Sequence, residues 1–151
     1  MKQITKLMAL PAPDRALLFK SFTALAVMRV GLWIMPYTKV RKISDWMSGV
    51  GVGSLRAGGA HAKPSRERIG WAVATVSRVV PGGINCLVRA MATEIVLKRF
   101  GYASILKIGV VKPGDGQFEA HAWLESDGIV VIGDFQLDRF VPLQGQDPVA
   151  R

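Results

Sequence analysis

The sequence predicts an α+β domain in which helices come first and a small antiparallel sheet follows, with a central helix carrying the lone cysteine packed on that sheet. Three observations carry the prediction. Apolar residues recur at helical spacing through roughly the first hundred positions. After Gly101 the pattern switches to short β-branched runs separated by turn residues. Half of the 151 residues are apolar, which excludes a disordered chain and is enough for one domain burying about two-thirds of its unfolded surface. Helices followed by strands, rather than alternating with them, define the class.

Taken in order, Pro11-Ala-Pro13 precedes Asp14, a good N-cap, and an apolar helix is expected from there to about Met35, stopped by Pro36. A shorter basic amphipathic helix is expected over 40–48. Residues 49–63 hold five glycines and read as a loop or hinge. These glycines lack both the third glycine of a dinucleotide fingerprint and a P-loop lysine, so nucleotide binding there is disfavoured. Ser65 can cap a helix from Arg66 to about Val80, with Ile69, Val73, Val76 and Val80 on one face. Pro81-Gly-Gly83 ends it. The next helix starts at Asn85 or Cys86, runs to Phe100 and stops at Gly101; it is apolar almost all round and should be buried and central. Strands are expected over 104–111, 118–126 and 129–134, joined by a turn at 113–116 and by Asp127-Gly128. The organisation is then a helical N-terminal region with a glycine-rich loop (1–63), a core (64–143) and a tail (144–151).

Charge is unevenly spread. Residues 1–70 hold twelve Lys/Arg and three Asp/Glu, whereas 71–151 hold eight of each. A basic front on a neutral back indicates a surface that meets something anionic, joined to a domain folded around chemistry. One cysteine excludes an internal disulfide, and with two histidines a structural zinc cluster is disfavoured. No cofactor is expected. The start of the chain lacks the apolar core of a cleavable signal. The apolar stretch 16–35 is interrupted by Lys20 and Arg29 and reads as a buried or docking helix, leaving peripheral membrane contact open. A cytoplasmic, reducing location suits a working thiol.

Three features point to cysteine chemistry. Cys86 sits at a predicted helix N-terminus, where unpaired N–H groups and the macrodipole favour a thiolate and can later hold an oxyanion. The competing reading is an inert buried thiol. Next, a two-residue Asp127-Gly128 hairpin pairs Ser126 with Ile129 and Glu125 with Val130, and by continuation His121 with Asp134. Directly opposed residues share a sheet face, so a histidine and a carboxylate thirteen positions apart become neighbours. Such a carboxylate fixes the imidazole tautomer. Glu119, two residues before His121 and on the same face, is a rival for that task. Finally, the order of helix-terminal Cys, strand His and next-strand Asp is the one by which papain-like enzymes assemble their groups. Trp123 can shield such a site, and His61 in the glycine-rich loop reads as a solvated side chain.

These residues bring a resemblance with them. Cys86-Leu-Val-Arg89-Ala at a helix start, Ile108-Gly-Val110, Glu119-Ala-His121-Ala-Trp123-Leu-Glu125 and Gly133-Asp134 resemble the transglutaminase-like superfamily. More narrowly, over about residues 65–143, they resemble the stand-alone leader peptidases of lasso-peptide biosynthesis. The resemblance implies a cysteine peptidase with Cys86 as nucleophile, His121 as base then acid, and Asp134 as orienting acid. The implied partners are a ribosomally made precursor peptide, a separate small leader-recognition protein and an ATP-using cyclase that acts downstream. Two alternatives stand beside this. The same triad could transfer an acyl group to an amine, or the chain could be a non-catalytic basic binding module. Nucleic acid is a poor candidate partner, because the aromatic-basic interleaving of single-strand binders is missing.

Overall fold

A computed structural model describes residues 10–42, 63–80, 83–111 and 119–143. Within them the chain forms α1 (Ala12–Ile34), α2 (Arg66–Val79), α3 (Cys86–Arg99), β1 (Ile105–Val111), β2 (Ala120–Ser126), β3 (Ile129–Ile132) and β4 (Phe140–Pro142). Residues 37–42 are also helical. The four strands form one sheet in the order β3-β2-β1-β4, with β1–β2, β1–β4 and β2–β3 all antiparallel. The domain is α+β, as the order of patterns predicts.

The helices start and stop where their flanking chemistry says, with one exception. Ser65 caps α2 by accepting the Arg68 N–H at 3.2 Å, and the Asn85 side chain caps α3 by accepting the Val88 N–H at 2.8 Å. Gly101, at φ +73°, ends α3 in the left-handed region. Asp14 is the exception. The helix begins at Ala12 behind Pro11, so Asp14 lies inside the first turn. There the carboxylate faces the positive end of the helix and pairs with Arg68 of α2, whose Nε stands 3.0 Å from it. Pro13 takes one of the first two helical positions, which has no intrahelical acceptor for an N–H.

All three helices share one core. Leu17, Leu25 and Met28 of α1, Ile69 and Val73 of α2, and Met91, Ile95 and Leu97 of α3 meet Leu106, Ala122, Leu124 and Ile132 of the sheet. α3 is buried on nearly every side and lies between the other helices and β2. Its buried Glu94 forms ion pairs with Arg41 at 2.9 Å and Lys98 at 3.0 Å, tying the 37–42 turn to the central helix. By length and composition α1 could cross a membrane, but its inner face belongs to this core.

The sheet departs from expectation in two places. Phe140–Pro142, a stretch too short and proline-marked to read as a strand, pairs with β1 on the far edge. The hairpin begins as predicted: Asp127 and Gly128 both have positive φ, and Ser126 opposes Ile129 and Glu125 opposes Val130. Then the register slips. Leu124 pairs with Ile132, leaving Val131 as an extra residue in a bulge. The cause lies in α2, where the hairpin is clamped at two points. Arg66 donates to Ser126 Oγ at 3.0 Å and pairs with Asp127. Gly70 lies so close to the Val131 carbonyl that any Cβ would collide with it. The predicted turn at 113–116 and the residues 43–62, with His61 among them, lie outside the described residues.

Candidate active site

Cys86 is the first residue of α3, and its place follows from Asn85. With the Asn85 side chain on the Val88 N–H and its carbonyl on the Arg89 N–H, the backbone N–H groups of Cys86 and Leu87 donate to no acceptor among the described residues. The thiol is half-buried and free. It lines a small cavity of about 20 Å³ together with Arg89, His121, Ala122, Ile132 and Gly133. That volume suits one water or one reacting atom. The cysteine and the histidine singled out from sequence are therefore brought to one place, by a helix end and a strand end. No hydrogen bond joins the thiol to the ring among the described residues.

His121 opposes Gly109 of β1. With no side chain at Gly109, Trp123 and Phe140 close over it, and both pack on the imidazole, with ring centroids 6.3 Å and 5.1 Å away. Trp123 is buried and its indole N–H is held by Glu125 at 2.9 Å, so it fixes the ring and keeps water from that side. His121 Nε2 lies 2.8 Å from the Gly133 carbonyl oxygen. A carbonyl only accepts, so Nε2 carries the proton and Nδ1 is left with the lone pair.

The group that orients the imidazole is thus a main-chain oxygen. The expected opposition of His121 and Asp134 does not form. Past the bulge the pairing ends at Ile132, so Asp134 lies beyond the paired ribbon and has no register partner in His121. Asp134 is exposed and makes no hydrogen bond or ion pair among the described residues. Glu119 is drawn away as well, toward Arg139 at 3.5 Å. Gly133 sits at φ +88° against the Trp123 backbone, a conformation that glycine permits and that turns its carbonyl to the ring. A main-chain acceptor has no residue-type signature; the glycine before Asp134 was its one trace in the sequence.

A second, larger cavity of about 740 Å³ opens on the other side of the α3 N-terminus, between Arg29, Val30, Leu32 and Trp33 of α1 and Gly83, Ile84, Asn85 and Val88. Trp33, 87% exposed, stands at its rim. Arg29 holds the Gly83 carbonyl and so ties α1 to the segment leading into Cys86. The described residues bring no three metal-ligating side chains together.

A family model for the transglutaminase-like superfamily matches residues 31–145. The chain belongs to that superfamily, which is consistent with a cysteine peptidase or an acyltransferase. No curated protein and no solved structure matches it.

Proposed function

We propose that this protein is a cysteine peptidase that removes the leader from a ribosomally made lasso-peptide precursor, with Cys86 as nucleophile and His121 as general base and acid. The observation that carries the chemistry is the shared cavity of Cys86 and His121, with the ring's proton held on Nε2 by Gly133. The lasso branch is supported by the motif resemblance around Cys86, His121 and Gly133-Asp134. A peptide substrate is supported by the open cavity of about 740 Å³ beside the α3 N-terminus, a volume in the range of ligand-binding clefts.

In this reading Nδ1 of His121 takes the thiol proton as Sγ attacks the scissile carbonyl carbon. The imidazolium then gives that proton to the departing amine of the core peptide, and the leader is left as a thioester on Cys86. A water, deprotonated by the same nitrogen, releases it as a carboxylate. Asp134, one residue beyond the carbonyl that holds the ring, contributes negative charge near the imidazolium rather than the orienting bond. A separate recognition protein brings the leader, a downstream ATP-using cyclase takes the freed amine, and the work is done in the cytoplasm.

Incubating precursor and recognition protein with this chain, and following cleavage by mass spectrometry, tests the proposal. Cys86→Ala and His121→Ala are each expected to lower the cleavage rate by about 10⁴-fold or more with the fold intact. Full cleavage by either variant overturns it. Adding a labelled amine separates hydrolysis from acyl transfer: incorporation in place of a free leader carboxylate assigns the alternative reaction.

A further inference from the structure

Arg89 stands one helical turn beyond Cys86, and the mechanism above does not use it. Helical side chains lean toward the N-terminus, so a residue at i+3 covers the turn that begins with the cysteine. Arg89 lines the small cavity with Cys86 and His121. Its Nε is buried and has no hydrogen-bond partner among the described residues. The buried Glu94 has two cations, and the half-buried Lys107 and Arg66 have Glu125 and Asp127. A buried charged donor left without an acceptor is costly and rare in a native structure, and one on a side chain that lines a reaction centre is explained by an acceptor that arrives with the substrate.

We propose that Arg89 Nε–H, acting with the Cys86 backbone N–H, which has no acceptor among the described residues, holds the oxygen of the carbonyl under attack. The proposal rests on Cys86 being the nucleophile. The cavity volume of about 20 Å³ suits a single oxygen atom better than a carboxylate side chain, which favours an oxyanion over recognition of an acidic residue. As Sγ bonds to the carbonyl carbon, the C=O π pair moves onto oxygen. The thiol proton is by then on His121, and the guanidinium and the helix-end N–H face the new negative charge. Collapse returns that pair to the C–O bond, expels the leaving group and weakens both contacts. Donors that strengthen as charge develops lower the barrier rather than the ground state.

Two measurements on the full chain test this without knowledge of the precursor. The first is acylation by p-nitrophenyl acetate, read as the nitrophenolate burst. Arg89→Gln and Arg89→Lys are expected to slow the acylation step about 10²-fold while the KM for the ester changes less than about threefold. Lysine keeps the charge but not the fixed N–H, so loss in both variants assigns the role to the directed donor. The second compares alkylation of Cys86 by iodoacetate and by iodoacetamide. The preference for the anionic reagent is expected to fall about tenfold in Arg89→Gln and to persist in Arg89→Lys. Thermal melts of both variants confirm that they fold, and if Arg89→Gln does not, Arg89→Lys alone decides the burst. An unchanged burst rate in a folded Arg89 variant overturns the oxyanion role. A burst that survives in Cys86→Ala instead overturns the nucleophile itself, and with it the function proposed above.

Discussion

The cysteine half of the site and the histidine half are held in different ways. Cys86 heads a helix that is capped by its own neighbour, buried on nearly all sides and pinned by an internal carboxylate. His121 lies at the end of a short ribbon whose register is broken by one residue and whose orienting acceptor is a main-chain oxygen. One half is fixed by local signals and bulk burial. The other depends on a helix whose contact residue, Arg66, precedes its partner Ser126 by 60 positions in sequence, to set where the strand bulges. Disturbing the first should cost global stability, whereas disturbing the second should cost the geometry of the imidazole first.

The largest stability effect is expected on the cysteine side. Glu94 is almost wholly buried between Arg41 and Lys98. Glu94→Ala removes the carboxylate both cations face and leaves a void in the central helix, for a loss of about 4 kcal/mol in a denaturant titration. Glu94→Gln keeps the volume and should lose less. If Glu94→Ala unfolds at the wild-type midpoint, α3 is not pinned in the way described.

Next comes the ribbon. Gly70→Ala sets a methyl against the Val131 carbonyl, so the bulge must leave α2 or α2 must retreat. About 3 kcal/mol should be lost. Because the slip that gives Gly133 to His121 begins at this bulge, the burst rate of the folded fraction should fall too. A variant that loses stability while its folded fraction keeps full activity would show that the ribbon end is set independently of α2.

Asp134 divides the sequence reading from the structural one. As the orienting member of a triad its loss would be nearly as damaging as that of the histidine. With the Gly133 carbonyl holding Nε2, Asp134→Asn is expected to slow cleavage by less than about 100-fold, through lost negative charge near the imidazolium. A loss matching that of His121→Ala would assign the orienting bond to the carboxylate after all.

What could be read from the sequence divides along the same line. The boundaries of α2 and α3, the central burial of α3, the strand class of 105–111 and 120–126 and the positive-φ Asp127-Gly128 turn all follow from signals within a few residues of where they act. Those signals placed Cys86 and His121 correctly enough to bring them to one cavity. The bulge at Val131 was hidden because its cause, the missing side chain of Gly70, is a tertiary contact between distant segments. The acceptor at Gly133 and the edge strand at Phe140 were hidden for related reasons, one being main chain and the other marked by a proline that argues against a strand. Asp14 looked like a cap because its partner, Arg68, belongs to another helix.

The smallest effect expected is one of pH, and it lies on the histidine side. Burial alone would raise the Glu125 carboxyl, but the Lys107 ammonium at 2.9 Å and the Trp123 indole N–H at 2.9 Å outweigh it and hold the group below the ordinary glutamate range. A carboxyl whose folded-state value lies below its unfolded one adds stability above the unfolded value, near pH 4.5. That share is lost as the pH falls through the folded value. Glu125→Gln should therefore be less stable than the parent by about 0.5–1 kcal/mol at neutral pH, as expected of a half-exposed pair. The gap should close as the pH drops below about 4.5. Because Glu125 also steadies the tryptophan that packs on His121, the variant should show a modest loss of burst rate at neutral pH. A stability gap that persists unchanged at pH 3 would mean that the side chain acts through packing alone.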